Sequence, residues 1–378
     1  LDIKNIFFKQ WVFVGHVSRI PNYGDYFLFN VGNESIIIIR DKEQIHAHYN
    51  VCRHRGSHIC LNDEGNKKVL VCPYHAWSYN LDGSVKSARL MNENFDKEQW
   101  SLHKCNLKLF EGLIFINLSN QPEDFDEFIA PTKKFIEFHG LSNAKIAHRQ
   151  LYPTEGNWKL TLDNFHECYH CQPSHPEYCS VHDKDYILAY GAGNNTGPSS
   201  EKFNKLLYDW NQKVKKMGHI VGEYAETEFN NFSRSAERTP LKAGKYNETK
   251  SGAPTAKLMG KFREYDRGYT SVGTSPFNSL LMCNDFATLF TFIPVSTLYT
   301  QVELMWLVHK DAEEGKDYNL KEITWMWDVT TIADKRIIEN NQKGVLSKKY
   351  IPGPLSEMEK GLEKFKIWYL KQLDIALS

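Results

Sequence analysis

Short runs of β-branched and aromatic residues fill the first third of the chain: WVFVGHV, YFLFNV, SIIIIR and, at 107–118, LKLFEGLIFINL. Turn residues punctuate them at Pro21-Asn22, Gly24-Asp25, Gly32-Asn33 and Glu111-Gly112. Apolar runs of strand length between such breaks predict β-strands joined by tight turns. IIII at 36–39 has the density of a strand buried on both faces and is far too short to cross a membrane. Residues 51–85 are turn-rich and end at Asp82-Gly83. The first third therefore predicts a small β-domain with residues 51–85 at its loop tips.

After Gln121-Pro122 the periodicity changes. EDFDEFIAPTKKFIEFHG carries helical spacing, which makes 120–140 a connection between two domains, 1–125 and 126–378. NWKLTLDNFHECYHC (157–171) predicts one helix, capped by Asn157 and stopped by Pro173. Residues 195–255 are polar and predict surface loops with a mobile lid or insertion. ATLFTFIPV and LYTQVELMWLVH predict strands of a second sheet, and DVTTIADKRIIENNQKGVL and EMEKGLEKFKIWYLKQL two C-terminal helices. No internal repeat is present.

Composition narrows the function classes. The 378 residues suit about two domains. Lys+Arg and Asp+Glu balance at 46 each, so nothing points to nucleic acid or an anionic membrane as partner. The chain opens LDIKNIFFKQW without Met, which is read as a trimmed start. Eight cysteines are too few for a disulfide scaffold, and six of them cluster beside histidines. In a reducing cytoplasm, the expected location, that pattern points to metal or redox chemistry.

The first cluster is VCRHRGSHICLNDEGNKKVLVCPYHAWSY, with Cys52-x-His54 and Cys72-x-x-His75. Structural zinc sites pair like with like, C-x2–4-C and H-x3–5-H. Here each box mixes a thiolate with an imidazole. A Rieske [2Fe–2S] centre holds one iron by two Cys and the other by two His, and mixed boxes suit it because each straddles both irons. Spacing favours the Rieske reading and leaves zinc as the alternative. Cys60 is read as a small buried residue.

C-R-H-R-G…C-P-Y-H-A-W resembles the cluster-binding signature of Rieske non-haem iron oxygenases. Ser57 and Tyr74 stand where respiratory Rieske proteins carry a disulfide, so that bridge is not expected here. The resemblance implies that Cys52, His54, Cys72 and His75 bind the cluster and that Trp77 covers it. It also implies an α+β fold: an N-terminal all-β Rieske domain, then a catalytic domain with an antiparallel sheet flanked by helices, of helix-grip type.

The second cluster, DNFHECYHCQPSHPEY, holds His166, His170, His175, His182 and Glu167. A turn after Pro173 can bring His175 back toward His170, and a 2-His-1-carboxylate triad leaves open positions on Fe(II). The carboxylate must come from later in the chain, from Asp328, Asp334 or Glu339. Asp334 shares a helical face with Ile337, Ile338 and Asn341, and an inward acid needs a cation as partner. E-x-x-H-x4-H after N-W-K and D-N is similar to the mononuclear-iron motif of the same family. The resemblance implies His170 and His175 as ligands, Asp334 upstream of NNQKGVLS as the third, and Glu167 as the link to the Rieske His of a neighbouring subunit. Asn164 is placed with Glu167 in the catalytic group. His166 is read as a hydrogen-bonding partner behind the metal and His182 as a surface residue. Cys168-x-x-Cys171 lacks the strand-turn context of a redox motif and is not read as one.

NFHECYHCQPSHPEY, the C-terminal helices and YIPGPLSEMEKGLEKFKIWYL are similar to the glycine betaine, choline and carnitine oxygenase branch. That implies a homotrimer, a flavin/[2Fe–2S] reductase fed by NAD(P)H, O2 as co-substrate and demethylation of a small quaternary ammonium compound. The same machinery could instead act on an aromatic ring. A Rieske-type electron carrier is the alternative from another class, although it needs only the first third of the chain.

Overall fold

The computed structural model describes residues 1–189, 198–225 and 234–374. The chain divides into two compact units, Phe7–Glu123 and a second formed by Leu1–Ile6 with Asp124–Ser378. The division thus falls two residues before the boundary expected at 125, and the first six residues pack with the second unit. Asp2 explains this: its carboxylate accepts from Trp158 Nε1 (3.0 Å), Lys159 Nζ (2.8 Å) and Tyr369 Oη (2.9 Å).

The first unit is all-β apart from short helical turns. Strands β1 (Val12–His16), β9 (Asn106–Phe110) and β10 (Leu113–Asn117) form one antiparallel sheet in the order β1-β10-β9. Strands β2 (Asp25–Val31), β3 (Glu34–Arg40), β4 (Ile45–Tyr49) and β5 (Glu64–Asn66) form another, ordered β4-β3-β2-β5. Ile36 to Ile39 on β3 are all fully buried, as an unbroken apolar run predicts. A third sheet of β6 (Leu70–Val71), β7 (Ser78–Tyr79) and β8 (Val85–Ser87) carries the second Cys/His box.

The second unit opens with a one-turn helix α1 (Asp2–Asn5) and, after the division, α2 (Phe125–His139), capped by the Asp124 carboxylate on the amides of Asp126 and Glu127. Its core is one antiparallel sheet of seven strands: β11 (Ala144–Thr154), β12 (Gly222–Ala225), β13 (Ser235–Pro240), β14 (Gly268–Gly273), β15 (Asn278–Met282), β16 (Phe286–Ser296) and β17 (Tyr299–His309). The order is β11-β17-β16-β15-β14-β13-β12. Helices between β11 and β12 are α3 (Trp158–Phe165), α4 (Cys171–Ser174), α5 (Pro176–Val181), α6 (Lys184–Ala189) and α7 (Pro198–Lys216). The long α8 (Leu320–Val345) and α9 (Lys360–Gln372) close the unit.

Two expectations are corrected here. The helix predicted for 157–171 begins as expected, with Asn157 Oδ1 accepting from Lys159 N at 3.0 Å, but ends at Phe165. The Glu167 carboxylate then takes the amides of Tyr169 and His170, a side-chain turn that competes with the helix. Pro173 lies inside α4 instead of stopping α3. The polar region 195–255 is not a run of surface loops: it holds the 19-residue α7, which buries Phe203, Trp210 and Val214, and the strands β12 and β13. Asn247, Glu248 and Thr249 are fully buried. The parts of that expectation at 195–197 and 226–233 lie outside the described residues.

Candidate functional site

In the first unit the two Cys/His boxes adopt the same backbone loop. The amide of Gly56 donates to Cys52 O and that of Ala76 to Cys72 O; in return Cys52 N donates to Ser57 O and Cys72 N to Trp77 O. The fifth residue of each loop is left-handed, Gly56 at φ +78° and Ala76 at φ +59°. Each loop buries its cysteine and exposes its histidine: Cys52 and Cys72 are buried, while His54 and His75 lie in solvent with ring centroids 4.7 Å apart. Buried thiols with a surface pair of imidazoles suit a cluster whose His-bound iron faces an electron partner. Trp77 is buried and stacks on His54 with centroids 5.1 Å apart. Tyr79, which sequence reasoning missed, brings its hydroxyl to 3.3 Å from Cys52 Sγ and accepts from Arg53 N. Cys52, Cys60 and Cys72 are all free, and Cys60 is fully buried.

In the second unit His170 and His175 flank α4, one at each end, and their rings meet edge to face with centroids 5.1 Å apart. One helical turn performs the return that was expected of the break after Pro173. Asp334 on α8 completes the group: Asp334 Oδ1 lies 2.9 Å from His175 Nε2 and 3.3 Å from His170 Nε2. One ligand atom from each of the three residues lies within 4.8 Å of the others. The competing acids are committed elsewhere, Asp328 to the Tyr152 hydroxyl and Glu339 to Lys335 and the Glu155 amide. The inward face of α8 runs through Thr330, Ile338 and Gln342; Asn341 is exposed and off it.

A carboxylate stands behind each imidazole. Glu167 Oε1 is 2.5 Å from His170 Nδ1, and Glu177 Oε1 is 3.3 Å from His175 Nδ1. Both rings present Nε2 to Asp334; Glu167 orients His170 in the way that strengthens a histidine ligand, whereas Glu177 accepts from the Thr330 hydroxyl at 3.0 Å and makes no hydrogen bond to His175. Burial opposes charge on His170, but Asp334 and Glu167 outweigh it and push the imidazole up to about 9. Burial likewise disfavours the Asp334 carboxylate, yet His170 and His175 hold it below the usual range. Three acids around two imidazoles form a donor set suited to a divalent cation, of the 2-His-1-carboxylate type. Glu177 was missed; its position two residues after His175 was the available signal.

His182 and the Cys168/Cys171 pair depart from expectation. His182 is buried and not at the surface: its Nε2 is 3.0 Å from Glu248 Oε1 and its ring stacks on Tyr178 at 4.0 Å. The partner comes from the polar stretch read as a lid. Cys168 and Cys171, read as unrelated to redox chemistry, are joined by a disulfide that brackets His170. His166 caps α3 and has its imidazole pushed down to about 4 by burial, so it stays neutral behind the site. Asn164 Nδ2 lies 3.3 Å from His170 Nε2, on the side of the ring that faces Asp334.

Next to the triad lies a cavity of about 420 Å³. Phe165, Tyr178, Tyr186, Tyr224, Tyr269 and Trp327 contribute to its walls.

Two family models match the chain in succession. The Rieske [2Fe-2S] domain family matches residues 10–106, and the ring hydroxylating alpha subunit (catalytic domain) family matches residues 141–375. The chain belongs to the Rieske ring-hydroxylating oxygenases. Its cofactors are accordingly a Rieske [2Fe–2S] cluster and a mononuclear iron, with O2 as co-substrate. The oxygenase is 35% identical to the glycine betaine monooxygenase oxygenase subunit of Pseudomonas aeruginosa, over 99% of this chain and 86% of that one. It is 38% identical to the carnitine monooxygenase oxygenase subunit of Escherichia coli, over 53% of this chain and 56% of that one. A solved quaternary ammonium Rieske monooxygenase shares its fold, with a TM-score of 0.70 at 24% identity, covering 99% of this chain and 90% of the other. No helix among the described residues is long and apolar enough to cross a membrane.

Proposed function

We propose that this oxygenase hydroxylates an N-methyl group of a small quaternary ammonium compound, using O2 and two electrons from a flavin- and [2Fe–2S]-containing reductase. One oxygen atom enters the methyl group and the other leaves as water; the resulting hemiaminal collapses to formaldehyde and a dimethylamine. The observation that carries the reading is the cavity beside the triad, whose aromatic walls suit a quaternary ammonium ion by cation–π attraction. The full-length similarity to glycine betaine monooxygenase oxygenase subunits supports it.

Cys52, His54, Cys72 and His75 are the proposed cluster ligands, with Trp77 shielding His54. His170, His175 and Asp334 are the proposed iron ligands. When bound, the cluster relays single electrons and the mononuclear iron activates O2. Glu167 holds the His170 imidazole with Nε2 inward, Glu177 places a negative charge behind His175, and Asn164 offers a polar edge beside the open positions. The chain works as a homotrimer in which Glu167 meets the Rieske histidine of a neighbouring subunit. A solved relative has been studied for inter-subunit electron transfer, which supports that arrangement. We place the enzyme in the cytoplasm, where NAD(P)H supplies the reductase.

The test is turnover with purified reductase, NAD(P)H and a panel of glycine betaine, choline and carnitine, with formaldehyde as readout. Formaldehyde formed from at least one of them is expected. None from any methylammonium compound overturns the proposal.

A further inference from the structure

The cavity wall contains a charge arrangement that the metal centre does not use. Glu223 on β12 and Glu237 on β13 are cross-strand partners, and the same row continues through Ser271 on β14 to Leu281 on β15. All four line the cavity. Like charges directly opposite on a sheet destabilise each other, and this pair has no lysine or arginine in its row. Glu237 is half-buried and its Oε1 accepts from the Tyr186 hydroxyl at 2.8 Å. Burial pushes Glu237 up, and Glu223 adds to the rise against the Tyr186 hydrogen bond. A cation seated against the row would relieve both costs at once.

The cavity is also poor in groups that would bind an anion. Among its described lining residues Lys364, exposed on α9, is the only lysine or arginine. A carboxylate carried toward Glu223 and Glu237 meets like charge, and the one lysine among the described lining residues, Lys364, is exposed.

We infer that the Glu223/Glu237 row is the counter-charge for the substrate's ammonium group and selects a net-cationic quaternary ammonium compound over a zwitterionic one. This rests on the quaternary ammonium reading above and deepens it. Glu237 acts on affinity, together with the aromatic faces; it takes no part in the proton or electron steps.

Three probes of closely matched size separate the terms: choline (cation), glycine betaine (zwitterion) and 3,3-dimethyl-1-butanol (the neutral carbon isostere of choline). Binding to the iron- and cluster-loaded trimer is measured by calorimetry, alongside formaldehyde release. Choline is expected to bind at least tenfold more tightly than either of the others. Glu237→Gln should erase that preference while leaving the affinity for 3,3-dimethyl-1-butanol unchanged. Glu223→Gln, on an exposed position, is the second variant if the first fails to fold and should weaken choline two- to threefold. Glycine betaine bound as tightly as choline, or a preference for choline that survives in a folded variant, overturns the inference and leaves the proposed function intact. If no probe bearing an N-methyl group yields formaldehyde, both fall.

Discussion

Glu167 Oε1 sits 2.5 Å from His170 Nδ1, on the far side of the imidazole from Asp334. One carboxylate thus fixes the ring's orientation while another stands at its other nitrogen. Behind the second imidazole, Glu177 Oε1 stands 3.3 Å from His175 Nδ1 as a charge neighbour without a hydrogen bond. The relationship separates two kinds of variant, those that lose the iron and those that keep it.

Glu167→Gln retains an oxygen acceptor for His170 Nδ1, so iron and sulfide content should stay close to wild type. Loss of the proposed link between centres should nevertheless lower turnover by about a hundredfold or more, a larger effect than an orienting partner alone accounts for. Rapid-mixing spectroscopy should show a reduced cluster that fails to reoxidise with substrate and O2. Normal turnover would remove Glu167 from the electron path.

Glu177→Ala is expected to weaken mononuclear iron by no more than about tenfold without touching the cluster, because it removes a charge behind His175 and the acceptor of the Thr330 hydroxyl, not a hydrogen bond to the ring. Asp334→Ala should abolish that iron altogether. Metal and acid-labile sulfide analysis then falls from about three irons per chain to about two, with sulfide constant. Loss of sulfide in Asp334→Ala would contradict the assignment of the two sites to separate units.

The paired loops of the Rieske boxes predict opposite effects at equivalent positions. A Cβ on Gly56 meets nothing within 4 Å, so Gly56→Ala costs only its left-handed conformation, about 1–2 kcal/mol. Ala76 already bears that strain at φ +59°, and Ala76→Gly should be neutral or stabilising by up to about 1 kcal/mol. Thermal unfolding measures both, with the cluster spectrum unchanged. A spectrum lost in Gly56→Ala would mean that more than backbone preference is at stake.

Acid should destabilise the first unit through His48. This fully buried ring hydrogen-bonds Leu81 O through Nε2, and burial pushes its imidazole down to about 4. The unfolded chain takes up its proton near the ordinary value of 6.5, which the folded ring refuses. The contribution to stability is therefore complete above pH 6.5 and declines as pH falls toward 4, by about 2 kcal/mol at pH 5. Denaturant unfolding at pH 7 and pH 5 should show this slope. His48→Gln, which keeps a donor for Leu81 O, should flatten it, and equal slopes would rule the residue out.

How much was legible follows from the range of the interactions involved. The cluster boxes, the two histidines of α4 and the Asn157 cap are set by spacing over a few residues, and they stand where the pattern placed them. The buried Ile36–Ile39 strand, the strand pair around Glu111-Gly112 and the two C-terminal helices are also local consequences of hydrophobic period. Polarity misled where burial is supplied by a distant partner. His182 and Glu248 are both polar and 66 residues apart, and each is buried because the other satisfies it. The early end of α3 depended on one Glu167 side chain taking two backbone amides in place of the helix.

The sequence by itself determined the strands of the first third, the Cys/His loops and the family, because period, turn chemistry and short spacing are properties of neighbouring residues. Only the tertiary structure decided that Asp328 and Glu339 are committed elsewhere, that His182 is buried against Glu248, and that Glu223 and Glu237 face one cavity. Those depend on helix packing and on sheet register, where a one-residue slip of a strand would send each side chain to the opposite face.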